Sequence, residues 1–106
     1  MLIAWTTVAT PAEAEDLAAR IVELRLAACV QIEGPIRSYY LWEGRTESND
    51  EFRLTLKFLP AQLEALEAYM IENHPYDTPE WIVVRAERVA EKYLSWAEAN
   101  SRNPPL

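Results

Sequence analysis

Residues 26–44 read LAACVQIEGPIRSYYLWEG, and this stretch is the most informative part of the 106-residue chain. It joins an apolar segment around Cys29 to a run of aromatic residues, and Gly34-Pro35 interrupts it. Proline lacks the N–H of a sheet ladder and is confined to edges and bulges, while glycine permits a bend. We therefore predict one long edge strand with a kink at Gly34-Pro35.

The side chains beyond the kink alternate between two faces of the predicted strand. One face carries Ile36, Ser38, Tyr40 and Trp42, and the other carries Arg37, Tyr39, Leu41 and Glu43. A monomer rarely leaves this much aromatic surface in water, because large exposed apolar patches usually mark contacts. Two interpretations stay open. The aromatic residues pack between subunits, with Ile36, Tyr40 and Trp42 in the assembly, or they form the wall of a ligand cleft.

The residues before this stretch predict a strand and then a helix. Residues 2–9 are apolar and rich in threonine, which favours a strand. Thr10 can then act as N-cap, Pro11 suits the first helical position, and Glu13 completes a capping box. The apolar face of this predicted helix is made of Ala14, Leu17, Ala18, Ile21 and Leu24.

The residues after the stretch predict a loop, two strands and two helices. Residues 43–50 are polar and turn-rich, so we predict a hairpin loop of several residues there. Residues 52–58 alternate strictly between apolar and polar side chains, which is typical of a half-buried strand. A second helix from Pro60 to Asn73-His74-Pro75, a strand at residues 81–84 and a last helix at residues 90–99 complete the prediction.

These elements occur in the order β-α-β-β-α-β, followed by an extra C-terminal helix. This split βαβ order predicts the α+β class and a ferredoxin-like sandwich, with two helices on one face of a single sheet. A chain of this length holds one domain, residues 1–106, in which we expect residues 101–106 to be a frayed tail. The last helix would cover part of the other sheet face, and self-association through the long edge strand would cover more.

Charge and composition argue against several classes of function. The formal net charge is -7, and a surface of that sign repels phosphates and anionic lipid, so we expect neither nucleic acid nor membrane as partner. The single cysteine cannot form an intrachain disulfide, and the chain begins without a signal peptide, so we expect a cytoplasmic protein. The sequence contains no Walker loop, nucleotide glycine fingerprint or Ser/His/Asp order, and nothing in it indicates an enzyme.

Five segments carry a resemblance to a known family. They read LAACV (26–30), YLWEG (40–44), LK (56–57), HPYDTPE (74–80) and YLSW (93–96). In this order they resemble the CutA family of divalent-cation tolerance proteins, over residues 5–97. The resemblance implies a ferredoxin-like subunit, related in architecture to PII signalling proteins, that forms a compact homotrimer by pairing the sheet edges of neighbouring subunits.

The resemblance also implies a role in tolerance of divalent cations, chiefly copper, which some members bind. Some relatives carry a cysteine where this chain has Trp5, and a His-His pair where it has Asn73-His74. Copper prefers thiolate or imidazole ligands. The metal candidates that remain are His74 and Glu80, and the alternative for His74 is to stabilise a helix C-terminus. The expected cofactor is therefore at most a weakly held divalent metal such as copper.

Five residues are candidates for a ligand cleft between subunits, as in a PII-like sensor of a small molecule: Tyr39, Trp42, Lys57, Tyr76 and Trp96. The alternative for the aromatic members is interface packing, where aromatic residues are enriched. We interpret Cys29 as a small core residue, since no second cysteine is present. The preferred function is a non-enzymatic, trimeric protein of cation tolerance, and the alternative is the PII-like sensor.

Overall fold

The computed structural model describes residues 1–102. Its elements are β1 (Leu2–Val8), α1 (Pro11–Glu23), β2 (Cys29–Trp42), β3 (Arg45–Phe58), a 3₁₀ turn (Pro60–Gln62), α2 (Leu63–Asn73), β4 (Ile82–Arg85) and α3 (Glu91–Ala99). One antiparallel sheet has the strand order β2-β3-β1-β4. The predicted α+β class and the ferredoxin-like order of elements are confirmed, and β2 is an edge strand, as expected.

Helix α1 begins at the predicted N-cap, but the Glu13 carboxylate bonds the Thr10 hydroxyl and not the Thr10 backbone N–H that a capping box would use. Thr10 has extended backbone geometry, and its hydroxyl oxygen accepts a hydrogen bond of 3.1 Å from the backbone N–H of Glu13. The Thr10 hydroxyl in turn donates to the Glu13 carboxylate at 3.0 Å. Three residues of the predicted apolar face are buried, namely Ala14, Leu17 and Ile21, whereas Leu24 caps the helix and is exposed.

The core lies between one face of the sheet and helices α1 and α2. Alternate residues of β1 and β3 point into it, and its fully buried side chains include Val8, Leu54, Leu56, Phe58, Ile21 and Leu66. Cys29 does not join this core, because Val30 takes the inward position of the alternating strand and Cys29 faces the opposite side. The interpretation of Cys29 as a core residue is therefore wrong.

The kink in β2 is a bulge. Glu33 pairs with Arg53 and Ile36 with Glu51, so Gly34 and Pro35 together oppose the single residue Phe52. Gly34 adopts φ 154°, and a Cβ atom added there would lie 2.6 Å from Cδ1 of the Phe52 ring. The bulge therefore requires glycine at this position. Before the bulge, odd-numbered β2 residues share a face with the odd-numbered residues of β3, and beyond it the even-numbered β2 residues do.

The hairpin between β2 and β3 differs from the prediction. We expected a loop over residues 43–50, but only Glu43 and Gly44 form the turn, and Trp42 pairs directly with Arg45. Both turn residues have positive φ, 50° and 78°, as a two-residue hairpin turn of the primed type requires. Residues 45–50 are polar because both of their faces are exposed, so their composition resembles that of a loop although they form a strand.

The second half of the chain follows the predicted order with shifted boundaries. A 3₁₀ turn precedes α2, and α2 ends at Asn73 because His74 takes extended geometry before Pro75. In the predicted tail, the N–H of Arg102 donates to the carbonyl of Arg25 at 3.1 Å, and residues 103–106 lie outside the described part of the chain. Within residues 1–102, no helix combines the length and apolarity needed to cross a lipid bilayer.

Candidate ligand cleft and metal residues

The β2–β3 hairpin projects beyond the rest of the sheet. Strand β1 ends at Val8, opposite Phe52, whereas the pairing of β2 with β3 continues to Trp42 and Arg45. We call residues 36–51 the arm. It is a two-stranded ribbon without a third strand beside it. The molecule measures 45 × 27 × 23 Å, as expected for a compact body with one projection.

A cleft of about 1070 Å³ lies at the base of the arm. The chain between α2 and β4, residues 74–81, forms its other side, and we call this segment the His74 loop. The cleft is lined by four aromatic residues, Tyr39, Tyr40, Trp42 and Tyr76, and by four acidic residues, Glu47, Asp50, Glu51 and Glu80. Among its lining residues in the described chain there is no lysine, arginine or histidine. The cleft is therefore aromatic and acidic.

Tyr76 joins the His74 loop to the arm. Its hydroxyl donates a hydrogen bond of 2.8 Å to Oε2 of Glu51. Burial raises the pKa of the Tyr76 phenol above its ordinary value, and the bond to Glu51 raises it further, so Tyr76 stays a neutral donor at physiological pH. One oxygen of the Glu51 carboxylate is thus held in place, and the cleft has one fixed corner.

His74 is fixed through both ring nitrogens. Nδ1 accepts the backbone N–H of Tyr76 at 3.0 Å, and Nε2 lies 2.9 Å from the hydroxyl oxygen of Thr6. A nitrogen that accepts an N–H carries no proton, so Nε2 bears the proton and donates to Thr6. Burial lowers the pKa of His74 below its usual value of 6.5, although a backbone hydrogen bond at Thr7 and the carboxylates of Glu13 and Glu51 oppose this effect.

The two metal candidates lie in the same part of the molecule but have different surroundings. Glu80 is exposed and lines the cleft, whereas both imidazole nitrogens of His74 already have partners. A metal at His74 would have to displace Thr6 or the N–H of Tyr76. Within residues 1–102, no three His, Cys, Asp or Glu side chains gather as a ready set of ligands.

The predicted cleft residues divide into two groups. Tyr39, Trp42 and Tyr76 line the cleft, whereas Lys57 and Trp96 lie elsewhere, next to Tyr93 of α3. The Lys57 ammonium is 5.9 Å from the centre of the Tyr93 ring, and the Trp96 ring centre is 5.5 Å from it. This second group is on the sheet face opposite α1 and α2, at the other end of the β2–β3 ribbon.

Sequence reasoning missed three of the four acidic residues of the cleft. Glu47, Asp50 and Glu51 fall in or beside the segment that we expected to be a loop, and so they were given no place in a site. The signal that could have located them is the Glu43-Gly44 pair, since a two-residue turn there places residues 45–51 directly opposite the aromatic residues of β2.

The order of elements and sheet define a ferredoxin-like α+β protein, extended here by a projecting hairpin with an acidic, aromatic cleft at its base. Residues 2–100 match the sequence model of the family described as CutA1 divalent ion tolerance protein. The chain belongs to this family.

Relatives agree with this assignment. The chain is 38% identical over 89 residues to the divalent-cation tolerance protein CutA of Pectobacterium atrosepticum, a match that covers 84% of this chain and 81% of the relative. It is 37% identical over 102 residues to the chloroplastic protein CutA of Arabidopsis thaliana, a match that covers 96% of this chain. The chain spans only 56% of the length of this plant relative.

Solved structures of the family have the same fold. CutA1 from Pyrococcus horikoshii superposes with a TM-score of 0.93 at 31% identity, covering 97% of this chain and 100% of the other. CutA1 from Oryza sativa superposes with a TM-score of 0.92 at 35% identity, covering 95% and 93%. These matches cover nearly the whole chain, so most of the 16-residue arm belongs to the shared fold.

Proposed function

We propose that this chain acts as a homotrimer in the tolerance of divalent cations, copper foremost, in the cytoplasm and without catalysing a reaction. The family description refers to divalent-ion tolerance and names no reaction. A single cysteine and no disulfide are compatible with a reducing compartment. The observation that carries the trimer is the arm, because within residues 1–102 no third strand pairs with it, and the hydrogen bond from Tyr76 to Glu51 holds it at its base alone.

Exposed apolar residues and free sheet edges support assembly. Tyr39 is 71% exposed, Leu41 74% and Trp42 60%, which is unusual for side chains that are so apolar. Strands β2 and β4 each have one unpaired edge, and an isolated two-stranded ribbon is at best marginally stable in water. Pairing the β2 edge of one subunit with a different edge of the next is a head-to-tail contact, which closes into a ring when the rotation permits.

The substitution Tyr40→Lys tests the assembly. Tyr40 lies in the arm, so a lysine there should weaken contacts between subunits before it unfolds the subunit. Light scattering should give the mass of three 12.2 kDa chains for the unchanged protein and a lower mass for this variant at equal concentration. The control is Ile71→Lys on α2, where an 81% exposed side chain should be replaced without loss of mass.

A monomeric mass for the unchanged protein would contradict the proposal. The proposal would also be contradicted if the Tyr40→Lys variant lost its circular dichroism signal at the same urea concentration at which its mass first falls. Dissociation and unfolding of the subunit would then be one event.

Weak metal binding at His74 and Glu80 is the chemical part of the proposal. Both residues belong to the His74 loop, and imidazole with carboxylate suits copper or zinc. Calorimetric titration with copper should give weak binding that Glu80→Gln reduces and His74→Ala removes. A flat titration at millimolar copper would refute it.

A second candidate function is a PII-like sensor, favoured by the cleft. A volume of about 1070 Å³ slightly exceeds the usual range of small-molecule sites, and aromatic walls with a few polar groups are typical of them. In an assembled protein this cleft would lie between subunits. Co-purification of a metabolite that is released on denaturation is the expected result, and cleft variants should lose it.

A further inference from the structure

We infer that the cleft at the base of the arm binds an organic ammonium ion, a molecule with a positively charged amine on an apolar body. This inference rests on the proposed role of the cleft as a ligand site and names the chemical class of its ligand. Two independent features carry it: the sign of the charges around the cleft, and the aromatic character of its walls.

Three of the four acidic side chains around the cleft have no cationic partner within residues 1–102. Asp50 pairs with Arg37 at 2.9 Å, and one oxygen of Glu51 is held by Tyr76. Glu47 and Glu80 make no ion pair in the part of the chain that is described. Arg37 and Arg45 are the arginines of the arm, and neither lines the cleft. A cationic guest therefore gains attraction here, and an anionic guest meets repulsion.

The aromatic walls select among cations. Trp42, Tyr39 and Tyr40 come from the arm and Tyr76 from the His74 loop, so rings border the cleft on both sides. The negative face of a ring attracts ammonium groups, and quaternary or alkylated amines are the ligands for which such aromatic sites are known. A small divalent ion such as magnesium keeps its water shell and binds oxygen ligands, so contact with aromatic ring faces would not increase its affinity.

The corner formed by Tyr76 and Glu51 is preorganised for such a guest. The phenol donates to Oε2 of Glu51, and since Oε1 has no hydrogen-bond partner within residues 1–102, it can accept an N–H. A carboxylate that is already oriented loses little conformational freedom on binding. The cleft thus offers one fixed acceptor beside flexible acidic side chains, an arrangement that suits an amine with an apolar chain attached.

Isothermal calorimetry of the full chain with hexamethylenediamine tests the inference. Hexanediol, which has the same carbon chain without charge, serves as the control ligand, and magnesium as the control ion. The diamine should bind in the micromolar to millimolar range, and its affinity should fall with added salt. The diol and magnesium should bind at least tenfold more weakly.

Matched variants locate the site. Glu80→Gln should weaken diamine binding about two- to fivefold, as expected for an exposed ion pair, whereas Glu98→Gln on α3 changes the net charge equally and should leave the affinity unchanged. Trp42→Leu should weaken it by about two- to fivefold through loss of a ring face. If Trp42→Leu does not fold, Tyr40→Leu replaces it, since Tyr40 lies on the same face of β2 as Trp42 and lines the cleft.

Three results would overturn the inference: no diamine binding, equal binding of diol and diamine, or displacement of the diamine by magnesium with no effect of the aromatic variants. Light scattering of the same samples separates this failure from that of the assembly. A trimer that does not bind the diamine refutes the ligand class alone. A monomer refutes the proposed assembly, and its diamine titration still tests the cleft, whose lining residues all come from one chain.

Discussion

The two halves of the β2–β3 ribbon share one pattern of backbone pairing but are stabilised differently. In the half next to β1, Leu54 and Leu56 are fully buried under the helices. In the arm, Tyr39 and Leu41 are more than 70% exposed, and the ion pair between Arg37 and Asp50 is in water. Burial compensates the loss of chain entropy in the first half only. Regular strand pairing therefore does not show that burial within the same chain stabilises the strand.

The largest expected effect is the difference in unfolding free energy between truncating a leucine in the buried half and truncating one in the arm. Leu56→Ala should lower the free energy of unfolding by about 4 kcal/mol, because it leaves a cavity in the core. Leu41→Ala should change the stability of the subunit by less than about 0.5 kcal/mol, as for other exposed positions. Urea unfolding at a protein concentration low enough to dissociate the subunits measures both, since assembly through the arm would add stability of its own and make it concentration-dependent. Equal losses in the two variants would refute the contrast.

A smaller effect is expected at the boundary between the halves. Gly34→Ala should cost about 3 kcal/mol, because φ of 154° is strained for alanine and the new Cβ would collide with Phe52. Gly44→Ala at the tip of the arm should cost only about 1 kcal/mol, since its φ of 78° is left-handed but nothing lies within 4 Å of an added Cβ. A tip variant more damaging than the bulge variant would contradict this steric contrast between the two glycines.

The smallest expected effect is a pH dependence of the unfolding free energy at His74, whose imidazole forms a hydrogen bond with Thr6 of β1. Burial lowers the pKa of folded His74, so as pH falls the unfolded chain takes up the proton first. The resulting stability is complete above the ordinary pKa of 6.5 and declines as pH falls below it. Urea midpoints measured above 6.5 and about one pH unit below it should differ more for the unchanged protein than for His74→Gln. An equal pH response in the two proteins would exclude this role.

The sequence was sufficient wherever one face of an element is buried. Leu54, Leu56 and Phe58 alternate with polar residues, so β3 was identified at its buried end. Helix α1 was placed by agreement between its cap at Thr10 and its apolar stripe. The family resemblance was confirmed by the match over residues 2–100.

The arm could be predicted only in part, for a physical reason. Residues 45–50 have no buried face, so burial imposes no alternation on them, and their register comes from pairing with β2. The same limit applies to the candidate site. Tyr39, Trp42 and Tyr76 were expected together and line the cleft, whereas Lys57 and Trp96 meet Tyr93 at the far end of the ribbon. The two-residue turn pairs Lys57 with Cys29, at the opposite end of the ribbon from Trp42, whereas a loop over residues 43–50 would have brought Lys57 and Trp42 closer together.

The two-residue turn at Glu43 and Gly44 fixes which residues pair along the whole arm, and this pairing restricts how the length of the arm can change. Because side chains alternate along each strand, removing one cross-strand pair, such as Leu41 with Thr46, would transfer Trp42 to the opposite face. Only the removal of two pairs together keeps every ring on its own side, and it shortens the reach by about 7 Å. Changes in the length of this projection that preserve its faces must therefore come in multiples of four residues.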